Sequence, residues 1–444
     1  MNGQYGDPET IDLIGVGFGP ANLALAIALE EQGRLRDLGS AGGRVRFVEQ
    51  QAQFGWHRGM LLDGARMQIA FLKDLVTMRN PRSRYSFLTY LQERGRLVDF
   101  INCKNFFPSR VEFHDYLEWA AARFTDVVEY GSEVVRIEPV TAGDGIDQLD
   151  VVVRRVDGSG LRRHRARNVV FAAGLQPWVP AGVALSDRVW HSSELLHRLG
   201  DIKPDEIRTV LVVGAGQSAA EVTGHLHRVC PNAQVHSVFS RFGYSVADDS
   251  PFANRIFDPD AVDVHFQAEP QVRDMLRRYH DGTNYSVVDL DLITELFERS
   301  YQEKVAHDQR LHFHNVSRVT SCEQTPMGVD VTVHNLALGC ASTFTCDIVV
   351  FATGYRPVDP RDLLEPVLEH CRLDEEGGVD IGRNYRVRTK PQLRCGIYVQ
   401  GAAERSHGLS SVLLSNVAVR AGEIAQALTE SLRHPDESLA TAPR

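Results

Sequence analysis

The sequence predicts an α/β fold of two Rossmann-like domains, the second inserted into the first, with a small and mostly helical region attached. Three observations predict it. The runs "DLIGVGFGPANLALAIALEEQG" from Asp12 and "RTVLVVGAGQSAAEV" from Arg208 each read as strand, glycine loop and helix. Each is followed by a second apolar strand, "RVRFVE" and "AQVHSVFSR". Two further apolar runs, "NVVFAAG" and "DIVVFATGY", end in glycine and fit strands that return the chain beneath the two loops. The partition that follows is residues 1–200 with 348–444 for the first domain and 201–347 for the second, with the helical region at about 245–300.

The elements follow in chain order. Residues 11–15 are a short apolar run that suits a buried parallel strand. Residues 22–31 continue with helical spacing, and Gly33 suits the helix end. Residues 44–49 read as the next strand and complete a β-loop-α-β unit. Residues 55–84 show little periodicity, and residues 113–124 read as helix. "LDVVVRRVDGSGLRRHRARNVVFAAG" signals a hairpin around Asp157-Gly158, then a separate buried strand over 168–173. Its arginines (Arg154, Arg155, Arg162, Arg163, Arg165 and Arg167) read as a solvated hairpin edge rather than an anion site. Residues 208–215 open the second unit, and 248–291 are of mixed character. "GIYVQG", a loop and an amphipathic helix close the chain, with a frayed tail beyond about 432.

Bulk composition narrows the function. The 444 residues carry 48 Lys and Arg against 58 Asp and Glu, a net charge of −10. Such a chain lacks the basic face that a nucleic-acid binder needs. No apolar run reaches the length of a membrane span, and the polar, acidic N-terminus implies no export, so a cytoplasmic protein is expected. Seven widely spaced cysteines without a C-x-x-C argue for a reduced chain with neither disulfide framework nor zinc knuckle. The pairs His225/His227 and His312/His314 lack an evident third ligand, so no metal is expected.

The loops carry the chemistry. A glycine loop between strand and helix lets backbone N–H groups approach a pyrophosphate, and the helix N-terminus favours its charge. The first loop holds Gly15, Gly17 and Gly19, with Pro20 where the usual third glycine stands. Pro20 sits where a helix begins, and its missing N–H is among the donors that lack a helical partner anyway. Its ring stiffens the loop, which suits a cofactor held permanently. The second loop holds Gly214, Gly216, Gln217 and Ser218, with Ala219 as a tolerated third position. The residue closing each second strand discriminates between ligands. Glu49 would accept hydrogen bonds from ribose hydroxyls and repel a 2′-phosphate, so the first loop suits the adenosine of FAD or NAD. Ser240-Arg241 offers a guanidinium to a phosphate dianion, so the second suits NADPH.

With these loops go "FGWHRGMLLDGARMQIAFLKDLVTMRNPRSRYSFLTYLQERGRL", "FPSRVEFHDYLEWAA", "DDSPFANRIFDP", "TNYSVVD", "FATGYRP" and "SHGLSSVLLS", in that order. Over about residues 12–428 the chain thereby resembles the flavin-dependent N-hydroxylating monooxygenases, within them the L-ornithine N5-monooxygenases of siderophore and piperazate pathways. The resemblance implies FAD and NADPH as cofactors. It also implies O2-dependent hydroxylation of the side-chain amine of L-ornithine through a C4a-hydroperoxyflavin, and a homo-oligomer, dimer or tetramer. Glu49 to His57 would line FAD, with Trp56 and His57 near the ring system. Met67 and Gln68 would lie at the isoalloxazine, Arg110 near flavin and nicotinamide, and Val134 at the adenine side. Gly214 to Ser218 and Arg241 would bind NADPH. Lys73, Gln217, Asn254 and Asn284 would hold the amino acid, Asn284 also lying near the nicotinamide ribose. His407, Gly408 and Leu409 would close over the flavin, and Ser410 would approach the reacting amine. Read without the resemblance, Lys73 is equally a surface lysine paired with Asp74, Asn254 and Asn284 equally turn residues, and His57 a satisfied buried histidine. Lysine or a diamine could replace ornithine, since one methylene discriminates by only ~1–3 kcal/mol. A Baeyer–Villiger-type flavin monooxygenase or a non-catalytic flavin sensor would share the loops.

Overall fold

The computed structural model describes residues 10–35 and 44–433, the side chains of Asp281 and Asn284 excepted. The tail expected beyond 432 lies outside the described residues from 434 onward. Two sheets carry the two loops. In the first, the strands run in the order Val128–Glu129, Val45–Val48, Thr10–Val16, Leu161–Phe171, Gly145–Arg155, Ser132–Ala142, and Gly396–Val399 also pairs with Leu161–Phe171. The second is wholly parallel: Leu311–His314, Gln234–Val238, Thr209–Val213, Ile348–Phe351, Val189–His191. Strands on both sides of 201–347 therefore belong to the second sheet by pairing, so its strands run from residue 189 to 351.

The hairpin and the buried strand expected after it are one continuous strand. Leu161–Phe171 pairs antiparallel with Gly145–Arg155 over its first half, then parallel with Gly396–Val399 from Asn168 onward. The polar arginine-rich half and the apolar half differ because the strand passes from a solvated hairpin edge into the sheet interior. Its arginines find carboxylates, Arg163 with Glu138, Arg165 with Asp150 and Arg167 with Asp12, and on the preceding strand Arg154 pairs with Glu133. A three-stranded antiparallel sheet (Ser317–Thr325, Gly328–Asn335, Ala341–Cys346) packs on the second sheet through Val329, Val331 and Val333.

The helix Pro20–Glu31 is apolar all round because it is covered all round: every residue from Asn22 to Leu29 is buried, and the C-terminal helix Val417–Arg433 lies on its outer side. Each fully buried Leu or Ile here stabilises by about 1.5–3 kcal/mol. Asn22, fully buried among these, donates to the carbonyl oxygen of Gly17 at 2.7 Å and accepts from Gln400 at 3.1 Å, so a buried amide pins the first loop. The chain passes between the two sheets at Leu175–Pro177 and Tyr355–Pro357, which pair antiparallel with each other. Among the described residues no helix is long and apolar enough to cross a membrane.

Candidate active site

The two loops are built alike. Gly17 has φ +81°, and a Cβ there would lie 2.6 Å from the carbonyl oxygen of Ala172; at Gly214, φ +145°, it would run into that of Ala352. Ala172 and Ala352 end the two strands whose terminal glycines the sequence singles out, so each returning strand presses a carbonyl onto its loop and only glycine fits. Each following helix starts at a glycine, Gly19 or Gly216, with no side-chain cap, and Pro20 is the first residue of the first helix. Its N-terminal N–H groups thus have no side-chain partner, and nothing lies within 4 Å of a Cβ built on Gly19. That is the donor set a pyrophosphate needs.

The two corners differ in charge. Glu49 follows Val45–Val48 and is buried, accepting from the backbone N–H of Phe18 at 2.7 Å and of Gln51 at 2.8 Å. Its carboxylate thus sits against the first loop. Val134 stands where a β-bulge interrupts the ladder between Ser132–Ala142 and Gly145–Arg155. Arg241 follows Gln234–Val238, is exposed, and donates to the carbonyl oxygen of Ser286 at 3.0 Å. Among the described residues no carboxylate pairs with it.

Between the two sheets lies a cleft. His57 occupies the left-handed region, φ 50°, with Trp56 edge-on at 4.8 Å and Tyr355 at 5.6 Å. The residue reaches the surface, yet protein atoms crowd around its ring. That burial, then the nearby Arg110 and His114, pushes its pKa down to about 4, so the imidazole is neutral. Met67 is buried beside exposed Gln68. Arg110 opens the helix Arg110–Ala121 and forms a two-pronged ion pair with Glu221, both bonds 2.8 Å, while also donating to the Met60 carbonyl oxygen at 3.0 Å. Gln217 begins the helix of the second loop and donates at 3.0 Å both to Glu221 and to Asp289. Gln68 donates to the other oxygen of Asp289 at 3.3 Å. Three residues singled out in the sequence, Gln68, Arg110 and Gln217, are thus joined by two that were not. The available signal was an acid, Glu221, inside the apolar run "SAAEV": a buried carboxylate needs a partner.

On the amino-acid side, the Lys73 ammonium makes no ion pair or hydrogen bond among the described residues, while its backbone N–H donates to the Ala70 carbonyl oxygen. Asp74 is buried and engaged by the backbone N–H groups of Val76, Thr77 and Phe87, so it is not the partner of Lys73. Asn254 donates to the carbonyl oxygens of Asp249 and Ser250 at 2.6 and 3.3 Å, the turn chemistry open to it. Asn284 closes the helix Pro270–Asn284, its side chain outside the described set. His407 is fully buried: Nδ1 meets Ser406 at 2.7 Å, Nε2 meets the Arg383 carbonyl oxygen at 3.1 Å, and the ring stacks on Tyr385. Its side chain supports the turn from behind, leaving Gly408 (φ 77°) and Leu409 at the front. Gly408, Leu409 and buried Ser410 line a cavity of about 300 Å³ together with His265, His280 and Tyr285. Three histidines elsewhere, His236, His312 and His314, stack across neighbouring strands, but among the described residues no group of His, Cys, Asp or Glu could hold a metal.

A family model described as L-lysine 6-monooxygenase/L-ornithine 5-monooxygenase matches residues 9–357. The L-ornithine N(5)-monooxygenase of Burkholderia cepacia is 45% identical over 412 residues, 90% of this chain and 90% of that protein. That of Pseudomonas aeruginosa is 39% identical over 427 residues, 95% of this chain and 94% of that protein. Among solved structures, the ornithine N-hydroxylase of Kutzneria sp. 744, with reduced FAD, NADP+ and L-ornithine, matches at a TM-score of 0.90 and 47% identity, covering 95% of this chain and 99% of that one.

Proposed function

The chain belongs to the L-lysine 6-monooxygenase/L-ornithine 5-monooxygenase family, and we propose on that footing that it hydroxylates the side-chain amine of L-ornithine to N5-hydroxy-L-ornithine, using FAD, NADPH and O2. The observation that carries the cofactor pair is the opposite charge of two matched corners, Glu49 at the first loop and Arg241 at the second. The uncapped helix starts and crowded glycines fit a dinucleotide at each. When bound, FAD with NADPH would supply the activation of O2, one oxygen atom of which would go to the amine and the other to water.

The protein's own part is position and electrostatics. Gly15, Gly17, Gly19 and Pro20 cradle the FAD pyrophosphate, Glu49 its ribose, and backbone at Val134 its adenine side. Trp56, His57, Met67, Gln68 and Arg110 flank the ring, and Gly408 and Leu409 cover it from the turn that His407 supports. Gly214, Gly216, Gln217 and Ser218 take the NADPH pyrophosphate and Arg241 its 2′-phosphate. Lys73, a cation without a protein partner, suits the α-carboxylate and so favours an amino acid over a diamine. Gln217, Asn254 and Asn284 hold the α-groups, and Ser410 meets the terminal amine. A free alkyl ammonium has a pKa of about 10.4, and only the neutral amine has the lone pair that takes the oxygen. Desolvation at buried Ser410 disfavours the ammonium and supplies that form.

We divide the chain into an FAD unit, residues 1–200 with 348–444, and an NADPH unit, 201–347, with the substrate region at about 245–300; by pairing, the strands at 189–191 and 348–351 complete the NADPH sheet. The reading extends to a cytoplasmic homo-oligomer, dimer or tetramer, serving siderophore or related natural-product synthesis, with no nucleic-acid or membrane partner. The test is a panel of ornithine, lysine, putrescine and cadaverine, scored by hydroxylated product. Ornithine gives N5-hydroxyornithine as the main product; peroxide alone with every amine refutes the reading.

A further inference from the structure

The two units are joined by two chain crossings, Leu175–Pro177 and Tyr355–Pro357, which pair with each other as a narrow ribbon. Such a ribbon leaves rotation of one sheet against the other to be fixed by side contacts. Met60, Leu62 and Ala65 pack into the core of the second unit, Arg383 pairs with Asp263, and a polar chain beside the Met60 segment adds further contacts. From the FAD side come Arg110 and Gln68; from the NADPH side come Glu221 and Gln217; Asp289 bridges Gln68 and Gln217. Asp289 also donates its N–H to the Gln217 side-chain oxygen at 2.9 Å, so both ends of that amide are held. Side-chain exposure is 13% at Arg110 and 5% at Glu221. An ion pair this buried adds little net stability, because the desolvation of both charges offsets their attraction, and its best-attested use is to fix register.

We propose that Glu221 and Asp289 are positioning residues: acting through Arg110, Gln68 and Gln217, they latch the NADPH unit to the FAD unit in the register from which hydride is transferred. Neither carboxylate contacts a reacting atom in this assignment. The proposal rests on the FAD and NADPH reading above. It explains why two of the FAD-side residues expected beside the ring system, Gln68 and Arg110, end on a carboxylate from the other unit. It also explains why an acid stands on the helix of the nucleotide loop, one turn from its N-terminus, where it adds nothing to phosphate binding.

The test uses Glu221→Gln and, because a buried Arg110 left without its carboxylate could compromise folding, Asp289→Asn beside it. In the full chain without cofactors, hydrogen exchange is followed at the Trp178 amide, which bonds across the ribbon to Gly354, and at amides of the two sheets. The latch predicts faster exchange at the ribbon and unchanged exchange in both sheets. In the FAD-loaded protein, anaerobic bleaching by saturating NADPH is predicted to slow by roughly tenfold to a hundredfold, the effect of an ångström-scale misplacement. FAD content and the half-saturating NADPH concentration stay within about twofold of the parent, a split that simple loss of fold does not give. Unchanged ribbon exchange with a bleaching rate within twofold overturns the latch in either variant, as does uniformly raised exchange. If NADPH fails to bleach the parent protein itself, the cofactor reading falls, while the exchange experiment still judges the latch.

Discussion

Replacing Arg241 by alanine tests the charge logic of the second corner. Arg241 is exposed, and its partners among the described residues are neutral: the Ser286 carbonyl oxygen at 3.0 Å and the Ser245 hydroxyl at 3.5 Å. With no carboxylate to strand, the substitution should change folding stability by no more than about 0.5 kcal/mol. A hydrogen bond to a charged group contributes about 1.5–3 kcal/mol, and exposure puts this one in the lower half, about 1.5–2 kcal/mol. At tenfold per 1.4 kcal/mol, kcat/KM for NADPH should fall about 10- to 30-fold. NADH has no 2′-phosphate, so its value should stay within about twofold. The assay is flavin reduction followed with each nucleotide in the parent and in Arg241→Ala, repeated at high salt, where the parent's preference should shrink. An unchanged NADPH-to-NADH ratio, or an equal loss with both, refutes the reasoning.

Three further outcomes follow from the same structure. Lys73→Met should raise KM for ornithine by roughly 10- to 100-fold with little change in stability, and leave putrescine, which has no carboxylate, nearly unaffected; equal losses with both amines would remove Lys73 from the carboxylate site. Gly17→Ala should yield a chain that does not retain yellow cofactor, since a left-handed residue with a side chain costs about 1–2 kcal/mol before its clash with Ala172, whereas Gly214→Ala should stay yellow but be bleached poorly by NADPH; a yellow Gly17→Ala protein of parental affinity contradicts the loop assignment. Burial pushes His407 down to about 4, against the hydrogen bond from its ring to the Arg383 carbonyl, which raises it. A folded pKa below the unfolded ~6.5 means the unfolded chain binds more protons between those values. This group's contribution is therefore full above about pH 6.5, declines by roughly 3 kcal/mol towards pH 4 and levels below; His57 and His236 are held down to about 4 as well, so His407→Phe should lessen the slope over that stretch of a urea-melt pH series without abolishing it. An identical slope in the variant would place the acid sensitivity elsewhere.

Much of the site was legible because its chemistry is local. The glycine loops, Pro20, Glu49 and Arg241 each sit within a few residues of a strand end, so spacing along the chain reports their placement. The helix Pro20–Glu31 and the strands Thr10–Val16 and Thr209–Val213 follow from short apolar runs whose central residues are buried. Where a run changes partner, the pattern misleads: Leu161–Phe171 looks like two strands because its first half faces a solvated hairpin and its second half the sheet interior. In the antiparallel sheet at 317–346 only the middle strand alternates clearly, through Val329, Val331 and Val333, while its two neighbours are mostly polar and carry little strand pattern.

What the sequence determined by itself is two glycine-loop corners of opposite charge, since a strand, a glycine turn and the next strand's last residue are set by near neighbours. What only the tertiary structure decided is how those corners meet. Arg110 and Glu221 stand 111 residues apart, and Gln68 and Asp289 221 apart. No periodicity couples such distances; the fold alone brings those side chains together, and at Arg110 and Glu221 low solvent access makes each charge demand its partner.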